Sequence, residues 1–118
     1  MIIVKPNNCG NAPKNKFIED FISTILSNEV YENQIDRSIV VLTYGCGGAD
    51  SIDKFVTYIN DLKGTKLEIL DAISHGKKGS VDFEITLRDG SVLNAGIFLE
   101  FKTHKADRIS YLKIILSK

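Results

Sequence analysis

Tryptophan is absent from this chain of 118 residues, methionine occurs once, and proline, cysteine and histidine occur twice each. The two histidines, His75 and His104, share no HxxxH or HxH spacing and no cysteine pair lies near them, so no metal site is expected. Cys9 and Cys46 allow at most one bridge. The opening Met1-Ile2-Ile3-Val4-Lys5-Pro6 is too short for the apolar region of a signal peptide. The expected setting is therefore the reducing cytoplasm, with both cysteines as thiols. A charge excess is missing too: fifteen basic residues face fifteen acidic ones. That removes the long-range electrostatic pull that nucleic acid or a membrane surface would exert. No apolar run approaches the roughly 20 residues that span a bilayer. Linkers, repeats and low-complexity tracts are also wanting, so residues 1–118 read as one domain. With 43% hydrophobic residues, that length can bury a core without metal or disulfide staples.

What is present is periodicity. Pro6-Asn7-Asn8-Cys9-Gly10-Asn11-Ala12-Pro13 is a polar, turn-forming arm, and Pro13 suits the first turn of a helix. Phe17, Ile18, Phe21, Ile22 and Ile25 then trace one helical face, which Ser27-Asn28 ends. A further short helical turn is expected around Val30, Tyr31 and Gln34. Residues 39–44 are β-branched and read as a strand, stopped by Gly45-Cys46-Gly47-Gly48. Asp50 or Ser51 caps a second helix, whose buried stripe is Ile52, Phe55, Val56, Ile59 and Leu62. Gly64 is expected in its left-handed C-terminal cap.

Beyond Gly64 the period drops to two. Residues 66–75 form a strand and Gly76-Lys77-Lys78-Gly79 a turn. Val81, Phe83, Ile85 and Leu87 alternate with Asp82, Glu84, Thr86 and Arg88, the pattern of a half-buried strand. Asp89-Gly90 marks a hairpin. Leu93, Ala95, Ile97, Leu99 and Phe101 give the next inner face, and residues 109–116 the last strand. Helices first and an antiparallel meander afterwards make the class α+β.

In this order the chain resembles the nuclear transport factor 2-like superfamily, in particular its SnoaL-like and ketosteroid isomerase-like members. The likeness rests on Asn8-Cys9-Gly10-Asn11-Ala12-Pro13-Lys14 ahead of the first helix and on the strand, Gly-rich turn and helix that follow. Ile73-Ser74-His75-Gly76-Lys77, Leu87-Arg88-Asp89-Gly90 and Phe98-Leu99-Glu100-Phe101-Lys102 add to it. It implies a cystatin-like cone: a curved, mainly antiparallel sheet packed on N-terminal helices and enclosing a pocket. Isomerases, dehydratases, cyclases, hydrolases and non-catalytic binding or assembly domains share that fold, so the fold does not fix the function.

The isomerase members place an acid in mid-strand to stabilise an oxyanion. The corresponding position here is Ile97, which donates no hydrogen bond. Asp71 is the best polar candidate. In one register it shares a phase with Leu67, Ile69 and Ile73 and sits in an apolar wall, where its pKa would rise toward general acid–base use. In the other, Leu70 and Ala72 point inward and Asp71 meets water; a β-bulge would reconcile the two. His75 is a candidate base at a turn. Tyr44, in phase with Val40 and Leu42, either orients a ligand with its hydroxyl or belongs to the core. The Gly-rich turn lacks the glycine spacing and the Lys-Ser/Thr of a phosphate loop, and Asp50 and Asp53 oppose an anion there. Cys46 has no evident base beside it.

Outward phases of the last strands hold Phe98, Tyr111 and Ile115, an apolar patch of the kind that marks an interface. The expectation is thus a cytoplasmic homodimer with a mainly apolar pocket for a small ligand, lined by Leu42, Tyr44, Phe83, Ile97 and Leu99. It needs no cofactor and has no nucleic-acid or membrane partner. The rival reading is a lyase or isomerase on a small apolar carbonyl or hydroxy compound, with Asp71 as base and Tyr44 or His75 orienting the substrate. A third is an assembly domain whose interior its own side chains fill.

Overall fold

The computed structural model describes residues 1–6, 13–105 and 107–117. Residues 7–12, with Cys9 and most of the polar arm, lie outside that set. The elements run β1 (Ile2–Val4), α1 (Pro13–Leu26), a 3₁₀ turn (Glu32–Gln34), β2 (Ile35–Tyr44), α2 (Ile52–Asp61), β3 (Gly64–His75), β4 (Lys78–Leu87), β5 (Val92–Phe101) and β6 (Ile109–Ser117).

Each helix buries most of the stripe its sequence announces, with Phe17 and Leu62 only partly buried and Leu62 at the C-cap of α2. In α1, Ile18, Phe21, Ile22, Ile25 and Leu26 are buried. In α2 the buried residues are Ile52, Phe55, Val56 and Ile59. The Ser51 side chain accepts a hydrogen bond from the Lys54 amide, closing the first turn of α2. The end of α2 departs from expectation. Lys63, with φ 61°, takes the left-handed position, and Gly64 already opens β3. Gly90 (φ 89°) makes the β4–β5 turn as its sequence requires.

The six strands form one sheet in the order β1-β3-β4-β5-β6-β2. The middle pairs, β3–β4, β4–β5 and β5–β6, are antiparallel. The two outer strands, β1 and β2, run parallel to their neighbours. The fold is therefore α+β with a mixed sheet. An antiparallel meander forms its centre, and segments from the N-terminal half close both edges. β1 is too short to announce itself by alternation. β2 begins at Ile35, ahead of the β-branched run, with a register shift between Ile35 and Val40.

One face of the sheet is the core. Leu67, Ile69, Ala72, Val81, Phe83, Ile85, Leu93, Ile97, Leu99, Leu112 and Ile114 are all buried, in one contiguous cluster with the helix stripes. Phe17 adds an edge-on contact with Phe101, ring centroids 5.7 Å apart. Each fully buried aliphatic or aromatic side chain contributes about 1.5–3 kcal/mol, so this face carries the stability of the domain. Phe83, Ile97 and Leu99 lie here as expected.

Candidate functional site

The opposite face of the sheet carries the unusual chemistry. Cross-strand register builds it in rows. One row runs Ile73, Ser80, Phe98, Lys113, Leu42 across β3, β4, β5, β6 and β2. The next row, two residues along, runs Asp71, Asp82, Gly96, Ile115, Tyr44. A third holds Lys78, Glu100, Tyr111 and Val40. Ile73 is 61% exposed, and Phe98 and Tyr44 are 53% exposed each; Val40, Leu42 and Ile115 are exposed as well. Four strand spacings give about 20 Å across the face and a four-residue rise gives about 13 Å along it. A few hundred Å² is the size at which an exposed apolar patch marks an interaction surface.

Leu42 and Tyr44 therefore do not share the inner face with Ile97. The inward residues of β2 are the neighbours Val41 and Thr43, only half-buried, because an edge strand lies beyond full helix cover. Thr43 instead donates its hydroxyl to the Ala49 carbonyl, tying down the Gly-rich turn. Phe98, Tyr111 and Ile115 do face outward, with Tyr111 half-buried.

Asp71 is also on this outer face. Leu67 and Ile69 point inward, the register then shifts between Ile69 and Asp71, and Ala72 becomes the next inward residue. The extra residue of the bulge turns Asp71 and Ile73 outward together. The bulge thus leaves the Asp71 carboxylate on the exposed face and not within the inner apolar face. His75 sits at the end of β3, exposed, beside a cleft of about 240 Å³ lined by Ile73, Lys78, Ser80 and Phe98 among others. Asp71 borders a second hollow of about 220 Å³, shared with Ser80, Asp82, Gly96 and Phe98.

Three features of this face were not singled out in the sequence. Lys113 lies between two rings, its ammonium 5.7 Å from the Tyr44 centroid and 5.9 Å from that of Phe98. Such cation–π contacts hold a lysine over apolar surface. Asp82 stands directly opposite Asp71, an unfavourable like-charge pair, and neither has an ion-pair partner among the described residues. Gly96 interrupts the middle of β5, a place where glycine often marks close approach by something else. Only that odd glycine was legible as a signal; the Lys113 contacts need the β2–β6 pairing and the Asp71–Asp82 pair needs the bulged register of β3.

Elsewhere the chemistry is muted. Burial pushes the Cys46 thiol above its ordinary value, and its S–H points to the Tyr44 carbonyl at 3.6 Å, an environment that suppresses nucleophilicity. Lys54 pairs with Asp50 at 3.0 Å beside the Gly-rich turn. The Tyr31 hydroxyl donates to Asp53; burial first, then that carboxylate, hold the phenol well above its usual range. Glu19 on α1 is buried, at 3% exposure. No metal-binding cluster occurs among the described residues, and none of their helices is long and apolar enough to cross a membrane.

No protein-family model and no curated protein matches the chain. Solved structures do match in shape. An NTF2-like protein of unknown function from Mesorhizobium loti covers 100% of both chains at 10% identity, with a TM-score of 0.65. One from Cytophaga hutchinsonii covers 88% of this chain and 89% of its own at 9% identity, TM-score 0.58. The epoxide hydrolase/cyclase-like enzyme SalBIII, described in pyran ring formation in the polyether salinomycin, covers 92% and 93% at 11% identity, TM-score 0.61.

Proposed function

We propose that this chain, an NTF2-like cone fold, acts as a self-associating domain that pairs through the outer face of its sheet. The observation that carries this is the cross-strand patch of Ile73, Phe98, Leu42, Tyr44 and Ile115, all exposed, which runs across the sheet from β3 to the β2 edge. Water contact with such a patch is unfavourable by about 25 cal/mol per Å² of apolar area, and a two-fold contact is the commonest way to remove it. Polar residues bound it on two sides. Glu68, Glu84 and Asn94 follow one another in register at one end. The Lys78–Glu100 ion pair, 3.7 Å, stands at the other. Ser80, Lys113 and the Asp71–Asp82 pair stand among the apolar residues of these rows, the mixed composition of a non-obligate interface.

The interior favours this reading over an enclosed binding pocket. Phe21, Phe55, Phe83, Leu93 and Ile97 are each less than 2% exposed and meet in one cluster. That cluster of large buried side chains supports the assembly-domain alternative.

A second reading rests on the 240 Å³ cleft beside His75. A small apolar carbonyl or hydroxy compound seated there would have His75 at its rim and the Asp71 carboxylate in the adjoining hollow, the two groups named for acid–base work. One experiment separates the readings: native mass spectrometry of protein from its own host, wild type beside Phe98→Asp. The first reading expects twice 13.1 kDa for the wild type and 13.1 kDa for the variant, with unchanged circular dichroism. A wild-type monomer that retains a small molecule, released by changes at His75, would replace the first reading with the second.

A further inference from the structure

We infer that the outer side of β3, β4 and β5 holds a binding site for a small amine with an apolar body, an alkylamine or arylalkylamine. Its ammonium sits between the Asp71 and Asp82 carboxylates and the Phe98 ring, and its body lies in a trough between Ile73 and Phe98. The site requires neither pairing of copies nor proton transfer.

The cavity comes from side-chain size. Ser80 stands in register between Ile73 and Phe98, a small residue flanked by two large ones. The strands that carry the two walls are about 10 Å apart, so the space over Ser80 is a trough along β4. Two hollows share Ile73, Ser80 and Phe98. One, of about 240 Å³, extends toward His75 and Lys78, and the other, of about 220 Å³, toward Asp82 and Gly96. Together they reach the size of small-molecule sites, about 300–1,000 Å³. A Cβ added at Gly96 would meet no heavy atom within 4 Å, so the missing side chain leaves open space over β5 for a ligand to enter.

The two ends of the trough choose the ligand. Asp71 and Asp82 are register partners, and like charges directly opposite each other repel. Neither carboxylate has an ion-pair partner among the described residues. One cation between them replaces that repulsion with two attractions. Phe98, 53% exposed, walls the same hollow, and the face of an aromatic ring attracts an ammonium group. Lys113 does not fill this place: it reaches Phe98 from β6 and rests between that ring and Tyr44. At the other end, about 13 Å along β4 from Asp82, Glu100 is already paired with Lys78 at 3.7 Å. A second ammonium therefore finds no unmet carboxylate there, and the walls between the ends are apolar. One charge followed by an apolar body matches that arrangement.

A titration tests this. Phenethylamine is added to isotope-labelled protein at neutral pH, beside phenethyl alcohol, which carries the same ring without the charge. The amine is expected to bind saturably and about tenfold more tightly than the alcohol, shifting the amides of Ser80, Asp82 and Gly96. Asp71→Asn with Asp82→Asn keeps side-chain size and relieves the repulsion, so the fold persists; amine affinity should fall to that of the alcohol. Gly96→Val fills the hollow and weakens both compounds. Glu84→Gln, at the next outward position of β4, changes neither. Sedimentation of the same samples reports pairing of copies separately, so the site and the proposed self-association stand or fall on different results. Absence of saturable binding, equal affinity for amine and alcohol, undiminished amine binding by the doubly substituted chain, or shifts centred away from the trough would each overturn the site.

Discussion

Gly45 shows how one residue joins two distant segments. Its φ of 76° is left-handed, and a Cβ there would collide with the carbonyl oxygen of Leu116 on β6. Both constraints act on Gly45→Ala, so we expect a loss of about 2–4 kcal/mol, seen as a lower urea midpoint with unchanged m value. From sequence, Gly45-Cys46-Gly47-Gly48 is legible as a turn because glycine follows a β-branched run. What approaches Gly45 is not, since Leu116 is seventy-odd positions away and only the β2–β6 pairing brings them together. Asp71 taught the converse lesson. Its identity was conspicuous, but its direction depended on one extra residue in β3, and alternation cannot locate a bulge without the partner strand.

At the scale of elements, α2 owes its start to Ser51. Its side-chain oxygen accepts the Lys54 amide at 3.2 Å, and Ser51→Ala is expected to cost about 1 kcal/mol, read as a fall in thermal midpoint. The ion pair of Lys54 with Asp50 on the same turn is exposed at both ends and adds little. Helix stripes, β4 and β5 were readable because their apolar positions repeat at one period over ten residues or more. Edge elements were not. β1 offers three residues, too few to show alternation. The early part of β2, with Asp36, Arg37 and Ser38, is polar for a strand; it lies in the register shift between Ile35 and Val40, where Asp36 accepts from the Ser38 hydroxyl and pairs with Lys102 at 3.4 Å. The positive φ at Lys63 belongs with these, because the demand of the α2–β3 connection overrode the residue's preference.

For the whole molecule, chain order suggested a meander over helices, and its central strands obey that. The edges do not follow from order: β1 joins β3 and β2 joins β6, long-range parallel pairings that local periodicity does not encode. The consequence is functional. Placing β2 beside β6 adds Val40, Leu42 and Tyr44 to Phe98, Tyr111 and Ile115, and so joins outward residues of three strands into one continuous face. The inner faces of β4, β5 and β6 were foreseen residue by residue, those of β2 and the bulged β3 were not, and Phe21, Phe55 and Phe83 are buried together in the core that they form. Volume is a property of packed side chains and is not written in the hydrophobic pattern.

Solvent-borne paramagnetic relaxation of methyl protons reads the covering of the sheet directly, with controls inside the same molecule. Val30, 80% exposed and off the sheet, reports free surface, and Ile97 reports the core. The methyls of Leu42, Ile73 and Ile115 should relax as slowly as those of Ile97 in concentrated wild-type protein and as fast as those of Val30 in Phe98→Asp. Fast relaxation of all three in the wild type, at concentrations up to about a millimolar where even weak complexes form, would contradict the proposal that a second copy covers this face.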